Sequence, residues 1–319
     1  MRIVINGWFW EQPGTGSGQY LAGLAGWLPA VAAGHEFILV RHASLPARPV
    51  SAGAHGEPPI RVVSARTPFD RVSRNLAKLW FEQVTFPLAC RRWQAGVAFV
   101  PYWAPPWWCP CPIVVTIHDI IPLILPLYRG GLLPRAYTWL VAHTARRAHA
   151  ILADSAASRR DIIAHLRVSP ERVHTVPLGL NPTLRPVTDP AELARVQARY
   201  GLPAEPFLLY LGGFDARKNV LRLIEAFARL TQAMGPRVRL VIAGHLPQRD
   251  TPFAPDPRPL VHRLGLDELV HFIGWVEEED KPALYTLARA ALFISEYEGF
   301  GLPLLEAMAC GCPTLAAKP

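Results

Sequence analysis

A chain of 319 residues, half of them hydrophobic and only 18% charged, is long enough for two ordinary domains and too apolar to remain disordered. A formal charge of +8 suits anionic partners, but the arginines fall in scattered doublets (Arg91–Arg92, Arg146–Arg147, Arg159–Arg160) outside any nucleic-acid module. Nucleic acid is therefore set aside in favour of a phosphate-rich ligand or an anionic membrane surface.

The opening MRIVING reads as a short strand and lacks the charged, apolar and cleavage regions of a signal peptide. No apolar run approaches the roughly 20 residues of a membrane-spanning helix, since Ile120 to Tyr128 is broken by Pro122 and Pro126. Five cysteines, an odd number, argue against a disulfide framework and for a reducing compartment. Cys109 with Cys111, and Cys310 with Cys312, lack the two-residue spacing of zinc sites, so no metal and no cofactor is assigned. The expected location is cytoplasmic, with peripheral attachment to the inner face of the cell membrane.

In chain order, Arg2 to Asn6 predicts a buried strand. The loop GWFWEQPGTGSGQY precedes a helix carrying Tyr20, Leu21, Leu24 and Leu28. Gly14, Gly16 and Gly18 permit that loop to bring backbone N–H groups against a phosphate. The spacing is not the G-x-G-x-x-G of a dinucleotide fold, which argues against a nicotinamide cofactor. Apolar runs at Glu36 to Arg41, Ile60 to Val63 and Val97 to Val100 alternate with helical or irregular segments, the pattern of a parallel sheet covered on both faces. Tyr102, Trp103, Trp107 and Trp108 stand among prolines, where rings can stack on a sugar or rest at a lipid interface. The strand Ile113 to Ile117 is followed at once by His118 and Asp119, and the carboxyl ends of strands border the ligand crevice in an open α/β sheet. Helices are predicted at Leu132 to Ala148 and Ala156 to Leu166, the latter capped by Ser155, with a strand at His149 to Asp154 between them.

From Asn181 to Pro206 the chain turns proline-rich, with a helical piece at Glu192 to Tyr200, and this segment predicts the crossing between domains spanning 1–185 and 186–319. The strand FLLYL from Phe207 ends in Gly212 and Gly213, then Asp215, Arg217, Lys218 and Asn219, before a helix from Val220 to Met234. A strand end with glycines and a cationic pair is a phosphate-binding arrangement. Only four lysines occur, Lys78, Lys218, Lys281 and Lys318, so one beside Arg217 at a strand end stands out. Strands follow at Val238 to Ala243, in LVHFIGWV, and at Leu292 to Ser295.

The last stretch, SEYEGFGLPLLEAMACGC, places Glu298 and Glu306 eight residues apart around Gly299 and Gly301. Pro303 suits a helix start and Gly311 with Pro313 a stop, predicting a helix from Pro303 to Cys310 whose N-terminus, at Gly301, favours a phosphate. Glu306, one turn inside, can accept from two neighbouring ribose hydroxyls.

This last stretch, with TIHDIIPL, ADSAASRRDI and GGFDARKN, closely resembles the retaining, nucleotide-sugar-dependent glycosyltransferases of family 4 (glycosyl transferases group 1), and the resemblance is mannosyltransferase-like. It implies an α/β, GT-B fold: two Rossmann-like domains facing a cleft, an acceptor-side domain first and a donor domain second. It implies transfer of a sugar, GDP-mannose-type by weak preference, to a saccharide or lipid-linked acceptor with retention. On the matching positions His118, Asp119 and Glu298 would serve the donor sugar. Gly16, Gly18, Arg217, Lys218 and Gly301 would hold the diphosphate, Glu306 the ribose, and the backbone near Trp275 and Val276 the base, with no metal. The family continues beyond PTLAA, so a truncated or unusually short member is expected. An unfinished second sheet would have an unpaired edge and reduced stability. A non-catalytic nucleotide-sugar-binding fragment and a GT-B-fold nucleotide-sugar epimerase are the alternatives.

Overall fold

The computed structural model describes residues 1–12, 14–32, 34–43 and 60–317. The chain divides into two compact units, Met1–Pro177 and Leu178–Pro319. Of the residues singled out in the sequence, Lys318 lies outside the described part.

The first unit is built on seven strands: β1 (Arg2–Gly7), β2 (Glu36–His42), β3 (Arg61–Ala65), β4 (Val97–Val100), β5 (Ile113–Ile117), β6 (Ala150–Ala153) and β7 (Val173–Thr175). They form one sheet in the order β3-β2-β1-β4-β5-β6-β7, and every recorded pairing is parallel. Both faces are covered, which is why the strands read as unbroken apolar runs. Val4, Ile38, Val40 and Val115 enter a core on one face, while Ile5, Leu39 and Phe99 enter the core on the other. The covering helices are α1 (Gly16–Val31), α2 (Arg74–Trp80), α3 (Phe86–Arg92), α4 (Ile121–Ile124), α5 (Leu132–Ala145) and α6 (Ala156–Leu166). Between α2 and α3 the helix continues through a π turn, Phe81–Thr85, that buries Phe81 and Glu82.

The second unit carries five parallel strands, β8 (Phe207–Leu211), β9 (Arg239–Ala243), β10 (Val270–Gly274), β11 (Ala290–Phe293) and β12 (Thr314–Ala316), in the order β10-β9-β8-β11-β12. Its helices are α7 (Pro190–Arg199), α8 (Val220–Met234), α9 (Arg258–Arg263), α10 (Lys281–Leu287) and α11 (Leu302–Ala309). Helix α8 buries Val220, Leu223, Ile224, Phe227 and Ala228, the three-and-four spacing of a single apolar stripe. Strand β12 lies at one edge of the sheet with Leu315 exposed.

Each sheet reverses its direction of winding once. The first grows outward through β1, β2 and β3 and then returns to place β4 against β1. The second does the same between β8 and β11. The carboxyl ends of the strands beside such a reversal are left open by the diverging connections, and ligands of doubly wound sheets bind there.

Most predicted elements stand where the patterns place them, with three informative differences. Helix α5 stops at Ala145, because Arg147 and Ala148 tighten into three-residue turns, donating to the Thr144 and Ala145 carbonyls. The unit boundary falls eight residues before the expected one, at Pro177. Leu184 and Val187 already pack on the second core, and Val187 N–H donates to Thr286 Oγ1. Strand β7 and helices α9 and α10 were not anticipated; each is seven residues or fewer, too short for a periodicity to emerge.

Candidate functional site

In the second unit, the connections leaving β8 and β11 meet at the reversal of the sheet. After β8 the chain passes Gly212 and Gly213 into the short turn Ala216–Lys218, and Asn219, at φ 57°, opens α8. Three bonds tie this turn to the segment after β11. Glu296 N–H donates to the Arg217 carbonyl at 2.7 Å, Arg217 Nη1 to the Tyr297 carbonyl at 3.0 Å, and Asn219 Nδ2 to the Ile294 carbonyl at 3.3 Å. The frame brings three predicted site residues into contact: Glu298 Oε1 lies 2.8 Å from Arg217 Nη1 and 2.5 Å from Lys218 Nζ. Arg217 Nε also lies 3.0 Å from Asp215 Oδ1.

Burial alone would push the Glu298 carboxyl up, but Lys218 and Arg217 outweigh it and hold it below the ordinary carboxylate range. Two cations and two carboxylates thus cancel in a largely buried cluster. A diphosphate arriving there would compete with Glu298 for the same ammonium and guanidinium. The family resemblance implies a donor-sugar role for Glu298; in the structure its carboxylate is the counter-ion of both cations.

Gly301 sits at φ 93° as the cap of α11, a left-handed conformation that a side chain would strain. A Cβ would meet only the Phe293 ring at 3.6 Å, so the backbone angle, not space, requires the glycine. Glu306, in the second turn of α11, accepts from Tyr285 Oη at 3.2 Å and lies 3.9 Å from Lys281 Nζ. Burial raises its carboxyl and Lys281 pulls it back only in part, so the net shift is upward. Val276 is buried, whereas Trp275 is 42% exposed and stacks on His245 with ring centroids 4.7 Å apart. This flat pair at the ends of β9 and β10 was missed except for the Trp275 backbone. Its sequence signal is Gly244 before His245: at φ 141°, a Cβ there would lie 2.1 Å from the Gly212 carbonyl oxygen.

In the first unit, His118 follows β5 as predicted. Its Nδ1 lies 2.7 Å from Asp154 Oδ2 and its Nε2 3.3 Å from the Pro101 carbonyl, while the Tyr20 ring packs edge-on at 4.8 Å. Asp154, buried at the end of β6, orients the imidazole, and sequence reading missed it. Asp119 Oδ1 accepts from Ile121 N–H at 3.1 Å, which opens α4. The expectation for Gly18 changes. Its N–H donates to Thr15 Oγ1 at 3.1 Å, within the cap of α1, and a Cβ would lie 2.0 Å from the Gln12 carbonyl oxygen. Close backbone packing, not a phosphate, requires that glycine. Gly16, at the exposed start of α1, has open space around it.

A buried polar group lies near the reversal between β1 and β4. Tyr137 Oη donates to both oxygens of Glu82 at 3.1 and 3.0 Å, and Lys78 Nζ stands 3.6 Å from the same carboxylate. The Lys78 ammonium also faces the rings of Phe9, Tyr102 and Tyr137 at 5.0 to 5.8 Å. Tyr102 Oη donates to Asn6 Oδ1 at 3.0 Å. Burial pushes the Glu82 carboxyl up to about 7 against the pull of Lys78 and the tyrosines.

Comparison with known proteins bears on both units. Residues 14–184 match the model of Glycosyltransferase Family 4, and residues 197–319 that of Glycosyl transferases group 1. The chain is 32% identical over 205 residues to O-antigen chain mannosyltransferase B of Escherichia coli, covering 64% of this chain and 52% of that protein. It is also 32% identical over 178 residues to alpha-D-kanosaminyltransferase of Streptomyces kanamyceticus, covering 56% of this chain and 45% of that one. The chain thus spans about half the length of the curated relatives it matches. Anabaena HepE, solved in complex with UDP and glucose, superposes with a TM-score of 0.71 at 20% identity over 100% of this chain and 81% of its own.

Proposed function

The chain belongs to glycosyltransferase family 4 and has the GT-B organisation of two Rossmann-like units; from that premise we propose that it moves a hexose from a nucleotide-diphosphate sugar to a hydroxyl of a saccharide or lipid-linked acceptor, with retention at the anomeric carbon. The observation that carries this reading is the Arg217–Lys218–Glu298 cluster at the winding reversal of the second sheet.

The main barrier is charge. As the glycosidic bond breaks, the leaving diphosphate gains negative charge, and groups that hold it more tightly at that moment lower the barrier. Arg217 and Lys218 would serve the diphosphate, joined by the start of α11 at Gly301, and no catalytic metal is required. Glu306 would receive the ribose hydroxyls. The Trp275–His245 stack offers a face to the base. Glu298, once its cations turn to the diphosphate, becomes free to accept from the sugar. Mannosyltransferases among the relatives favour a GDP-mannose-type donor.

No helix among the described residues is long and apolar enough to cross a membrane. Peripheral attachment is supported by α5, which exposes Leu132, Leu133 and Trp139 on the same helix as Arg135.

The test is a panel of labelled GDP-, UDP-, ADP- and dTDP-sugars with oligosaccharide and polyprenyl-linked acceptors, with and without chelator. Chelator-insensitive transfer from a GDP-sugar, with the donor's anomeric configuration in the product by NMR, is the expected result. Donor binding without transfer to any acceptor would overturn the enzymatic reading, and product of inverted configuration would overturn retention.

A further inference from the structure

Three thiols converge in the first unit. Cys90 lies in the last turn of α3; Cys109 and Cys111 lie on the connection from β4 to β5. The sequence paired Cys109 only with Cys111 and found no zinc spacing. The fold supplies a third sulfur from a helix about twenty residues earlier. All three Sγ atoms lie within 4.8 Å of one another, and Cys109 and Cys111 are 3.7 Å apart. Thiolates bound at about 2.3 Å to one tetrahedral zinc ion are about 3.8 Å from each other, so the Cys109–Cys111 separation is that of two ligands on one cation, with the Cys90 sulfur within 4.8 Å of both. It is nearly twice a disulfide bond of about 2.0 Å. All three cysteines are free. A disulfide would also use two sulfurs and strand the third, whereas a thiophilic cation uses every one.

We propose that Cys90, Cys109 and Cys111 form a trithiolate site for a soft d10 cation, zinc first among them. Cys90 is fully buried and fixed by α3, which makes it the anchor; Cys109 and Cys111 are partly exposed and provide the entry path. Pro110 and Pro112 flank Cys111 and restrict the backbone between the ligands. The fourth position is left to solvent or an exogenous ligand. Binding requires loss of the thiol protons, so uptake releases protons and strengthens with rising pH. The bound ion would clip the tryptophan-rich connection, Trp103 to Trp108, onto α3. The same connection carries Pro101, whose carbonyl faces His118 Nε2, so the clip steadies the surroundings of that imidazole without touching substrate.

The experiment uses the full chain, reduced and stripped with chelator, then titrated with Zn2+ against a chromophoric competitor and with Cd2+ while following the thiolate-to-metal ultraviolet band. One equivalent of each is expected per chain. Cys109→Ser and Cys111→Ser should each weaken uptake by at least about 10-fold, since losing even an outer-shell partner of a metal site costs about that much. Cys310→Ala, in the second unit, should leave it unchanged. Because Cys90 is buried and its substitution can unfold the helix, the two partly exposed positions carry the test. Failure of the reduced wild type to take up either ion would overturn the proposal, as would stoichiometric uptake that survives loss of Cys109 and Cys111 together. A native chain two hydrogens lighter by mass, with Cys109 in a disulfide and no metal bound after reduction, would also overturn it.

Discussion

Glu82→Gln is expected to abolish a pH dependence of stability that belongs to the first unit. The Glu82 carboxyl is fully buried under two tyrosine hydroxyl contacts, and burial holds it at about 7 instead of its ordinary 4.5. A carboxyl raised on folding favours the native state most when it is protonated in both states. Its contribution is therefore complete below pH 4.5, declines as the pH rises toward 7, and is gone above that. At about 1.4 kcal/mol per pH unit the full effect is about 3 kcal/mol, of which about 2.5 kcal/mol falls between pH 5 and 8. Nine of the ten tryptophans lie in the first unit, so urea unfolding followed by indole fluorescence reports mainly on it. Wild type should lose about 2.5 kcal/mol more than the Gln variant on going from pH 5 to pH 8. Parallel profiles for the two proteins would refute the argument, since every other titrating group is common to both.

Arg217→Ala should lower transfer by about 10² to 10³, the scale of losing one charge partner of the transition state, with unfolding behaviour checked in the same preparation. Equal turnover in a folded variant would remove Arg217 from the donor site. Gly18→Ala should cost about 1 to 3 kcal/mol of first-unit stability by forcing a Cβ against the Gln12 carbonyl. An unchanged urea midpoint would show that the α1 entrance relaxes freely. Asp280, wholly buried, accepts from Arg199 Nη1 and Tyr200 Oη at 2.7 Å and from Arg195 at 2.5 Å. Asp280→Ala should therefore cost about 2 kcal/mol, read as a lowered melting transition of the second unit. The arginines are nearly half exposed and can rehydrate, which keeps the loss below that of a sealed ion pair.

The sheets were legible because a strand covered on both faces must be apolar throughout, and β5, β8 and α8 appear with the bounds that their residues predict. Arg217, Lys218 and Glu298 stand out in the sequence because they lie on the connections that follow β8 and β11, where side chains escape the core. What remained hidden depends on pairing across long stretches of chain. Asp154 looks like an ordinary strand end until it meets His118, and Glu82 looks like a surface residue until the π turn rotates it inward. Gly18 misled because a glycine that admits a phosphate and one that admits a neighbouring carbonyl look alike in sequence. Lysine scarcity was the better signal: each of the three described lysines stands within 4 Å of a carboxylate, Lys78 on Glu82, Lys218 on Glu298 and Lys281 on Glu278 and Glu306.

The winding of the second sheet also dictates an order of events in folding. Lys218 and Glu298 lie 80 residues apart because the chain builds β9 and β10 on one side of β8 before β11 returns to the other. Closing so long a loop is slow, and its entropy must be met before the contact repays it. During synthesis both cations leave the ribosome well before their carboxylate. For that interval Asp215 is the one carboxylate of the cluster beside them. The residues proposed to hold the donor are thus among the last to reach their native surroundings, so slowed closure of β11 on β8 would delay activity more than it delays compaction.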